Sequence, residues 1–160
     1  MPARTRIARL AALCIVALVV GAALAGVVHA GELPADVKSA LETSKYVYIS
    51  STRKDGTLGK PAEIWFLYHN GAVYVGTMPT SWRAKRIKKG RAAAKIAVGK
   101  VDGPSFMATG AIVNEPDVLT AMYDTYAKKY ADGWKQFESK FRTGFKDGSR
   151  VLIKYTPKGS

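Results

Sequence analysis

Three short segments of β-type sequence, joined by tight-turn signals, restrict this chain to few architectures. Residues 46–52 are rich in β-branched and aromatic side chains and lead into Asp55-Gly56, a dipeptide typical of β-hairpin turns. Residues 60–68 predict the return strand, and Asn70-Gly71 predicts a second turn of this kind before a third strand over 72–77. Strands joined by tight turns favour an antiparallel meander rather than a parallel βαβ unit.

The rest of the chain alternates helical and strand patterns. Ser81 and Gly90 stand at the N-cap and C-cap positions of a short basic helix. The further predicted elements are helices over 34–41 and 82–89, strands over 92–101 and 106–113, a helical stretch from 116 that is interrupted at 132–133, and a strand over 150–156. Six antiparallel strands of this length close most readily as a barrel, so we predict a mainly β fold: a six-stranded antiparallel Greek-key barrel with peripheral helices.

Residues 1–30 have the pattern of an export signal. Arg4, Arg6 and Arg9 precede the nineteen uncharged residues 10–28, and Val28-His29-Ala30 is a small-x-small cleavage site. We therefore predict a signal peptide over 1–30 and an exported domain over 31–160, either periplasmic or extracellular. Because nineteen apolar residues are just long enough to cross ~30 Å of hydrocarbon, the alternative is an uncleaved inner-membrane anchor, which is the one membrane contact expected.

Charge and cysteine content narrow the classes of function. Residues 31–160 carry 22 basic and 12 acidic side chains, a net charge of +10. The single cysteine, Cys14, excludes an internal disulfide and a Cys-based zinc site. An anionic partner suits such a domain, but the sequence holds no nucleic-acid-binding motif, so nucleic acid is not expected. Nucleophile-elbow, P-loop and dinucleotide-binding motifs are also missing.

The densest chemical signal is a basic stretch in the middle of the chain. Six of the nine residues 83–91 are basic. Thr77 and Ser81 add hydroxyls at a strand end and a helix start, where free backbone N–H groups and Arg83 complete a pattern typical of an anion site. From these residues alone, a phosphate site and a solvated cationic helix face are equal alternatives.

From Tyr46 to Pro157 the chain resembles the pyridoxamine 5'-phosphate oxidase-like family, the flavin-binding split barrels. The matching segments are ISSTRKDGTLGKPAEIWFLYHNGAVYVGT, the T-x-x-x-S-W-[RK] element with its basic helix, GAIVNEPDV and SRVLIKYTP. The resemblance implies a split-barrel homodimer that holds the FMN phosphate at the end of the third strand and on the following helix. The cofactor-binding residues implied are Thr77, Ser81, Trp82 and Arg83, with Lys85 and Arg86 as further cations and Trp65 and Phe66 beside the isoalloxazine ring.

Within that family, the resemblance is closer to the small FMN- or F420-dependent reductases than to true pyridoxine-phosphate oxidases. Those oxidases carry an Arg and a Lys in strand two that grip the phosphate, and the corresponding residues here are Ala62 and Leu67. The implied function is an oxidoreductase that exchanges hydride through FMN with a small organic substrate, with no catalytic side chain. The alternative is a non-catalytic exported binding module for haem, F420 or another anionic or aromatic ligand.

Two weaker signals have a structural interpretation. His69 stands without a second His or a Cys in residues 31–160, so we interpret it as a turn residue rather than a haem or metal ligand and predict no metal site. A series of aromatic residues at three- and four-residue spacing predicts the packing stripe of a helix rather than a stacking platform. These residues are Tyr123, Tyr126, Tyr130, Trp134, Phe137 and Phe141.

Overall fold

The computed structural model describes residues 31–159, so the predicted signal peptide lies outside the described residues. Antiparallel strands dominate the described part, with four helices on the periphery. The elements in chain order are α1 (Ala35–Thr43), β1 (Val47–Ser51), β2 (Ala62–Ile64), β3 (Leu67–His69), β4 (Ala72–Thr77), α2 (Trp82–Lys88), β5 (Ala93–Val98), β6 (Ser105–Val113), α3 (Pro116–Lys129), α4 (Ala131–Asp147) and β7 (Val151–Pro157). No helix among residues 31–159 has the length and apolar character needed to cross a membrane.

The seven strands form a single antiparallel sheet in the order β2-β1-β5-β6-β7-β4-β3. Its two edges, β2 and β3, are separated along the chain by only Trp65 and Phe66. A sheet whose opposite edges are joined by two residues has to curl, and the result is a half-barrel. The mainly β class with peripheral helices is thus confirmed, whereas the prediction of six strands is wrong.

The additional strand arises where residues 60–68 were predicted to form one return strand. The Phe66 N–H donates a hydrogen bond to the Tyr130 hydroxyl at 3.0 Å rather than to a neighbouring strand. The Trp65 ring stacks on the Tyr130 ring, with centroids 4.5 Å apart and planes 3° apart. These contacts interrupt the strand, so β2 pairs with β1 while β3 pairs with β4 at the other edge. The predicted antiparallel pairing of the return segment with both flanking strands is confirmed, but the meander is divided between the two edges of the sheet.

One predicted turn and one predicted helix have the backbone conformations that their sequences require. Asn70 and Gly71 have φ values of 48° and 74°, the left-handed pair expected of a two-residue hairpin turn. Ser81 caps α2, since its hydroxyl accepts a hydrogen bond from the Ala84 N–H at 3.4 Å, and Gly90 after the helix has φ 76°. The predictions for this hairpin and this basic helix are confirmed.

Strand alternation divides the core into two clusters. On β4, Val73 and Val75 belong to the cluster inside the curled sheet, whereas Tyr74 belongs to the cluster between the sheet and the α3–α4 pair. The second cluster contains the predicted aromatic stripe, of which Tyr126, Trp134 and others are buried. The packing role of that stripe is confirmed. Helix α2 packs on the first cluster through Ala84 and Ile87.

The break between α3 and α4 lies earlier than predicted. It falls at Tyr130, which has φ −126° and ψ 36°, rather than at Asp132-Gly133. Gly133 lies within α4. A Cβ on this residue would be 2.7 Å from the Trp65 ring, so the position requires glycine. The glycine therefore reflects close packing of α4 on the segment that joins the sheet edges, and not a helix end.

Candidate functional site

A groove lies between α2 and the loop that connects β1 to β2. Its inner cavity, about 460 Å³, is lined by Ser51 of β1 and by Ser81 and Arg83 at the start of α2, among others. Its outer cavity, about 610 Å³, extends along the exposed side of α2. Arg53, Trp82 and Arg86 line both cavities, which therefore adjoin. We refer to the two cavities together as the cationic groove.

Positive side chains dominate the lining of the cationic groove. Its eight cations are Arg53, Lys54, Lys60, Arg83, Lys85, Arg86, Lys89 and Arg91. The one acid in the lining, Asp55, accepts hydrogen bonds from Thr57 Oγ1 at 2.7 Å and from the Thr57 N–H at 3.0 Å, and these bonds lower the pKa of its carboxyl. The four ion pairs within residues 31–159 all lie elsewhere. The charge of the groove is therefore uncompensated and attracts anions.

Arg83 carries a buried guanidinium nitrogen without a partner. Its Nη1 atom is buried and makes no hydrogen bond within residues 31–159. Burial lowers the pKa of Arg83, an effect that Tyr155 partly opposes. Because the pKa of an arginine is ordinarily far above neutral, the side chain keeps its charge. A buried charge is costly unless it is paired, so this position is suited to a bound anion.

Arg86 ties α2 to the sheet. Its Nη1 donates a hydrogen bond to the Ser51 backbone carbonyl at 2.9 Å. Gly59 makes this position accessible, since a Cβ on that residue would lie 2.8 Å from Arg86 Nη1 and 3.1 Å from the Ser51 carbonyl oxygen. The guanidinium is thereby held at the junction of the two cavities.

Trp82 is an exposed aromatic side chain at the same junction. It is 74% exposed, although tryptophan is usually well covered in folded domains. Lys85 Nζ lies 5.4 Å and the Arg86 guanidinium 6.0 Å from its ring centroid. An exposed indole among cations offers a face on which a planar, anionic ligand stacks.

Solved structures share this architecture, although no family model and no curated protein matches the sequence. A putative pyridoxamine 5'-phosphate oxidase from Listeria innocua aligns with a TM-score of 0.53 at 13% identity, over 76% of this chain and 90% of that chain. An F420 reductase aligns with a TM-score of 0.51 at 21% identity, over 79% of this chain and 97% of that one. HutZ, the heme storage protein from Vibrio cholerae, aligns with a TM-score of 0.50 at 12% identity, over 78% and 89% of the two chains.

The chain has the split-barrel fold of the pyridoxamine 5'-phosphate oxidase-like proteins. The resemblance that the sequence motifs indicate is therefore confirmed for the fold. Within that fold, the structure brings five of the eight predicted cofactor-binding residues to one groove. They are Ser81, Trp82, Arg83, Lys85 and Arg86.

The start of α2 contributes less to an anion site in this split barrel than the sequence suggested. The helix has only seven residues, and the Ser81 hydroxyl already accepts the Ala84 N–H. Thr77 is half-buried at the end of β4, where it pairs with Val151, and it lines neither cavity. Side-chain cations therefore supply most of the attraction for an anion.

Trp65 and Phe66 are separate from the cationic groove. Phe66 is fully buried, with Lys129 Nζ 3.6 Å from its ring centroid. Trp65 stacks on Tyr130 and contacts α4 next to Gly133. Both rings are engaged in joining the edges of the split barrel, and the structure does not bring them together with the predicted phosphate residues.

His69 is likewise away from the groove. It ends β3, where it pairs with Ala72, and it lines neither cavity. Within residues 31–159 no group of three or more His, Cys, Asp or Glu side chains is placed to hold a metal ion.

Several groove residues were missed by sequence reasoning. Arg53, Lys54 and Lys60 come from the loop after β1 and face α2 across the groove. The signal available for them was a set of cations flanking the Asp55-Gly56 turn, but only the fold places this turn beside α2. Tyr155 lines neither cavity but acts on the pKa of Arg83, and it was missed because it reads as an ordinary core residue of the last strand.

Proposed function

We propose that this protein binds FMN in the cationic groove and exchanges hydride through it with a small organic substrate. The observation that carries the proposal is the buried Arg83 Nη1, which has no partner within residues 31–159 and lies in a groove lined by eight cations. A phosphate monoester compensates such a charge well, because charge-assisted hydrogen bonds to its oxygens are strong. The inner and outer cavities also have the size of typical cofactor sites, which run from roughly 300 to 1,000 Å³.

The residues of the groove divide naturally between the two ends of such a ligand. Arg83 and Ser81, in the inner cavity, are suited to hold the phosphate. Trp82, at the junction, is suited to cover the ring system, a role that the resemblance gave to Trp65 and Phe66. Arg86 and Lys85 lie near Trp82 and are suited to neutralise the negative charge of the ligand between its phosphate and its ring system.

The flavin supplies the hydride-transfer chemistry when it is bound, and the protein supplies binding and orientation. The described lining of the groove contains no His, Cys or Glu, and its Asp55 is engaged by Thr57. None of these groups is arranged as a general acid or base. We therefore assign no catalytic side chain, and substrate choice falls to the walls of the outer cavity.

The proposal includes export and a homodimer. Export rests on the sequence pattern of residues 1–30, and the homodimer rests on the family resemblance. An exported protein of this kind acquires its flavin outside the cytoplasm, so its affinity has to be high enough to capture free FMN.

A cofactor titration tests the proposal. The purified protein is titrated with FMN and with riboflavin, which lacks the phosphate, while flavin fluorescence is followed. We expect one FMN per chain with micromolar affinity and far weaker riboflavin binding. The double variant Arg83→Ala with Ser81→Ala should bind FMN at least tenfold more weakly, because each charge-assisted contact contributes roughly 1.5–3 kcal/mol.

The matched control is Arg142→Ala on α4, where Arg142 pairs with Glu138 at 2.8 Å and lines neither cavity of the groove. It should bind FMN as the wild type does. Unchanged FMN affinity in the Arg83 and Ser81 double variant would remove the phosphate site from this groove.

F420 is the second candidate ligand. It is a deazaflavin with an anionic polyglutamate tail, and the cations of the outer cavity favour it: Lys54, Lys85, Lys89 and Arg91. Tighter binding of F420 than of FMN would select it. Haem, which HutZ stores, is the remaining alternative, and haem uptake without flavin binding would make the protein a non-catalytic binding module.

A further inference from the structure

We infer that the Tyr155 hydroxyl is a second donor to the anion that Arg83 binds, so that Tyr155 and Arg83 form a buried oxyanion subsite behind the lining of the inner cavity. The inference rests on the proposed function and deepens it by naming a further binding residue. It also specifies the ligand group that enters deepest, a phosphate monoester.

The Tyr155 hydroxyl lacks a partner in the described structure. Tyr155 is 1% exposed and lies on β7, with Val73 of β4 and Gly110 of β6 as its strand neighbours. Its side chain belongs to the cluster inside the curled sheet. Within residues 31–159 its hydroxyl oxygen makes no hydrogen bond that meets ordinary geometry. Buried hydroxyls are normally satisfied, so this one calls for an explanation.

Packing against α2 places this hydroxyl near Arg83, because the Tyr155 ring and Ile87 both lie over Gly110, and Ile87 follows Arg83 by one helical turn on the same face of α2. Burial raises the pKa of Tyr155, and Arg83 and the side chain of Ser51, which lines the inner cavity, oppose that rise. Tyr155 in turn raises the pKa of Arg83. Arg83 itself lines the inner cavity. The unpaired hydroxyl and the unpaired guanidinium nitrogen therefore belong to one neighbourhood.

The packing beneath α2 fixes the Tyr155 ring in this position. A Cβ on Gly110 would lie 2.8 Å from Tyr155 Cε1 and 2.9 Å from Ile87 Cδ1. The bare glycine thus lets the ring and the underside of α2 approach each other. The buried ring is held in place, so its hydroxyl does not turn toward solvent.

The chemistry of the two groups selects an oxyanion. Arg83 has only donors, and the phenol, with its pKa raised by burial, stays protonated at neutral pH and is available as a donor. A phosphate monoester presents several acceptor oxygens, so it accepts from both groups at once. The competing explanation is a direct hydrogen bond in solution between the Tyr155 hydroxyl and either Arg83 or the Ser51 side chain, which would satisfy the hydroxyl without a ligand.

Tyr155→Phe separates these explanations, and Tyr74→Phe on the neighbouring strand is the matched control. Tyr74 is also buried, but its hydroxyl donates to Glu115 Oε2 at 3.0 Å. The probes are inorganic phosphate, FMN and riboflavin, measured by calorimetry at constant ionic strength, together with thermal unfolding of the ligand-free proteins.

We expect Tyr155→Phe to weaken phosphate and FMN binding five- to tenfold and to leave riboflavin binding unchanged. Its ligand-free melting temperature should equal or exceed that of the wild type, because the variant removes an unpaired buried hydroxyl. Tyr74→Phe should melt at a lower temperature yet bind phosphate within twofold of the wild type.

Three results would overturn the inference. They are wild-type phosphate affinity in Tyr155→Phe, a lower ligand-free melting temperature of Tyr155→Phe with all ligands weakened alike, and no phosphate binding by the wild type. If the wild type binds phosphate in a Tyr155-dependent way but does not bind FMN, the subsite stands and the flavin proposal fails.

Discussion

Arg86 Nη1 lies 2.9 Å from the backbone carbonyl oxygen of Ser51, and this hydrogen bond joins helix α2 to strand β1 across the floor of the cationic groove. The bond exists because Gly59 leaves room for the guanidinium. Three of the eight groove cations, Arg83, Lys85 and Arg86, lie on helix α2, so its attachment to β1 sets the distance between the two walls.

Gly59→Ala should therefore act on binding more than on stability. The new Cβ would be 2.8 Å from Arg86 Nη1, the end of a flexible side chain that moves aside at the loss of one hydrogen bond. We expect the free energy of unfolding to fall by about 1 kcal/mol and FMN affinity to fall several-fold. In an Arg86→Ala background the same change should add nothing to the loss of affinity, as a double-mutant cycle would reveal. Additive losses would mean that Gly59 acts on the groove without Arg86.

Tyr130→Phe should destabilise the fold without touching the groove. The Tyr130 hydroxyl donates to the Lys45 carbonyl at 2.7 Å and accepts the Phe66 N–H at 3.0 Å. Its removal leaves a buried N–H unpaired, so urea denaturation should register a loss of roughly 2–3 kcal/mol. Tyr46→Phe, which alters the ring stacked on Tyr130, serves as the control and should change stability by less than about 0.5 kcal/mol. Equal stability of the two variants would contradict the bridging role.

The fold could be predicted from the sequence wherever local pattern and tertiary structure agree. The Asn70-Gly71 turn, the Ser81 cap and the strand that ends at Thr77 follow from short-range signals, and each stands where its residues indicate. The family motifs extended this local agreement to the split barrel as a whole.

The rest depends on contacts distant in sequence. Residues 60–68 read as one strand because nothing local indicates that the hydroxyl of Tyr130, 64 residues after Phe66, takes the Phe66 N–H. For the same reason the basic helix could be identified as a candidate site, whereas Arg53, Lys54 and Tyr155 could not. They reach the site only through strand pairing and the curl of the sheet.

Gly133→Ala tests why a glycine stands inside α4, where the sequence predicted a break in the helix. A glycine inside a helix normally costs about 1 kcal/mol relative to alanine, so local propensity predicts that the variant is stabilised. The structure predicts the reverse, because the alanine Cβ would be 2.7 Å from the Trp65 ring, which is held by its stacking on Tyr130. We expect a net loss of about 1–3 kcal/mol in the free energy of unfolding. If Gly133→Ala is more stable than the wild type, the Trp65 ring can move away from the new Cβ at little cost, and the prediction is wrong.

Lys129 should make the stability of the fold rise with pH in the alkaline range. Burial lowers its pKa from 10.5 to about 8, so between these values the unfolded chain binds more protons than the folded one. The contribution of Lys129 to the free energy of unfolding therefore rises as the pH increases from about 8 to 10.5. Since the side chain is only half-buried, solvent screening reduces the gain to about 1 kcal/mol.

Lys129→Met removes this effect, and the variant should be more stable than the wild type at pH 7 by that amount. The difference should shrink on approach to pH 10. Unfolding in urea at pH 7, 8.5 and 10 measures it, with the exposed neighbour Lys128→Met as the control. A stability difference between Lys129→Met and the wild type that stays constant with pH would contradict the titration of Lys129.

Salt should weaken the binding of FMN much more than that of riboflavin. The groove holds eight cations and one engaged acid, so its attraction for a phosphate is long-ranged and is screened as the Debye length falls from about 10 Å at 0.1 M to 3 Å at 1 M. We expect FMN affinity to drop about tenfold between 0.05 and 0.5 M NaCl, and riboflavin affinity to change less than twofold. Lys85→Glu with Lys89→Glu should flatten this salt dependence, whereas Lys135→Glu on α4 should preserve it. The same salt slope in both charge-reversal variants would mean that FMN binds outside the cationic groove.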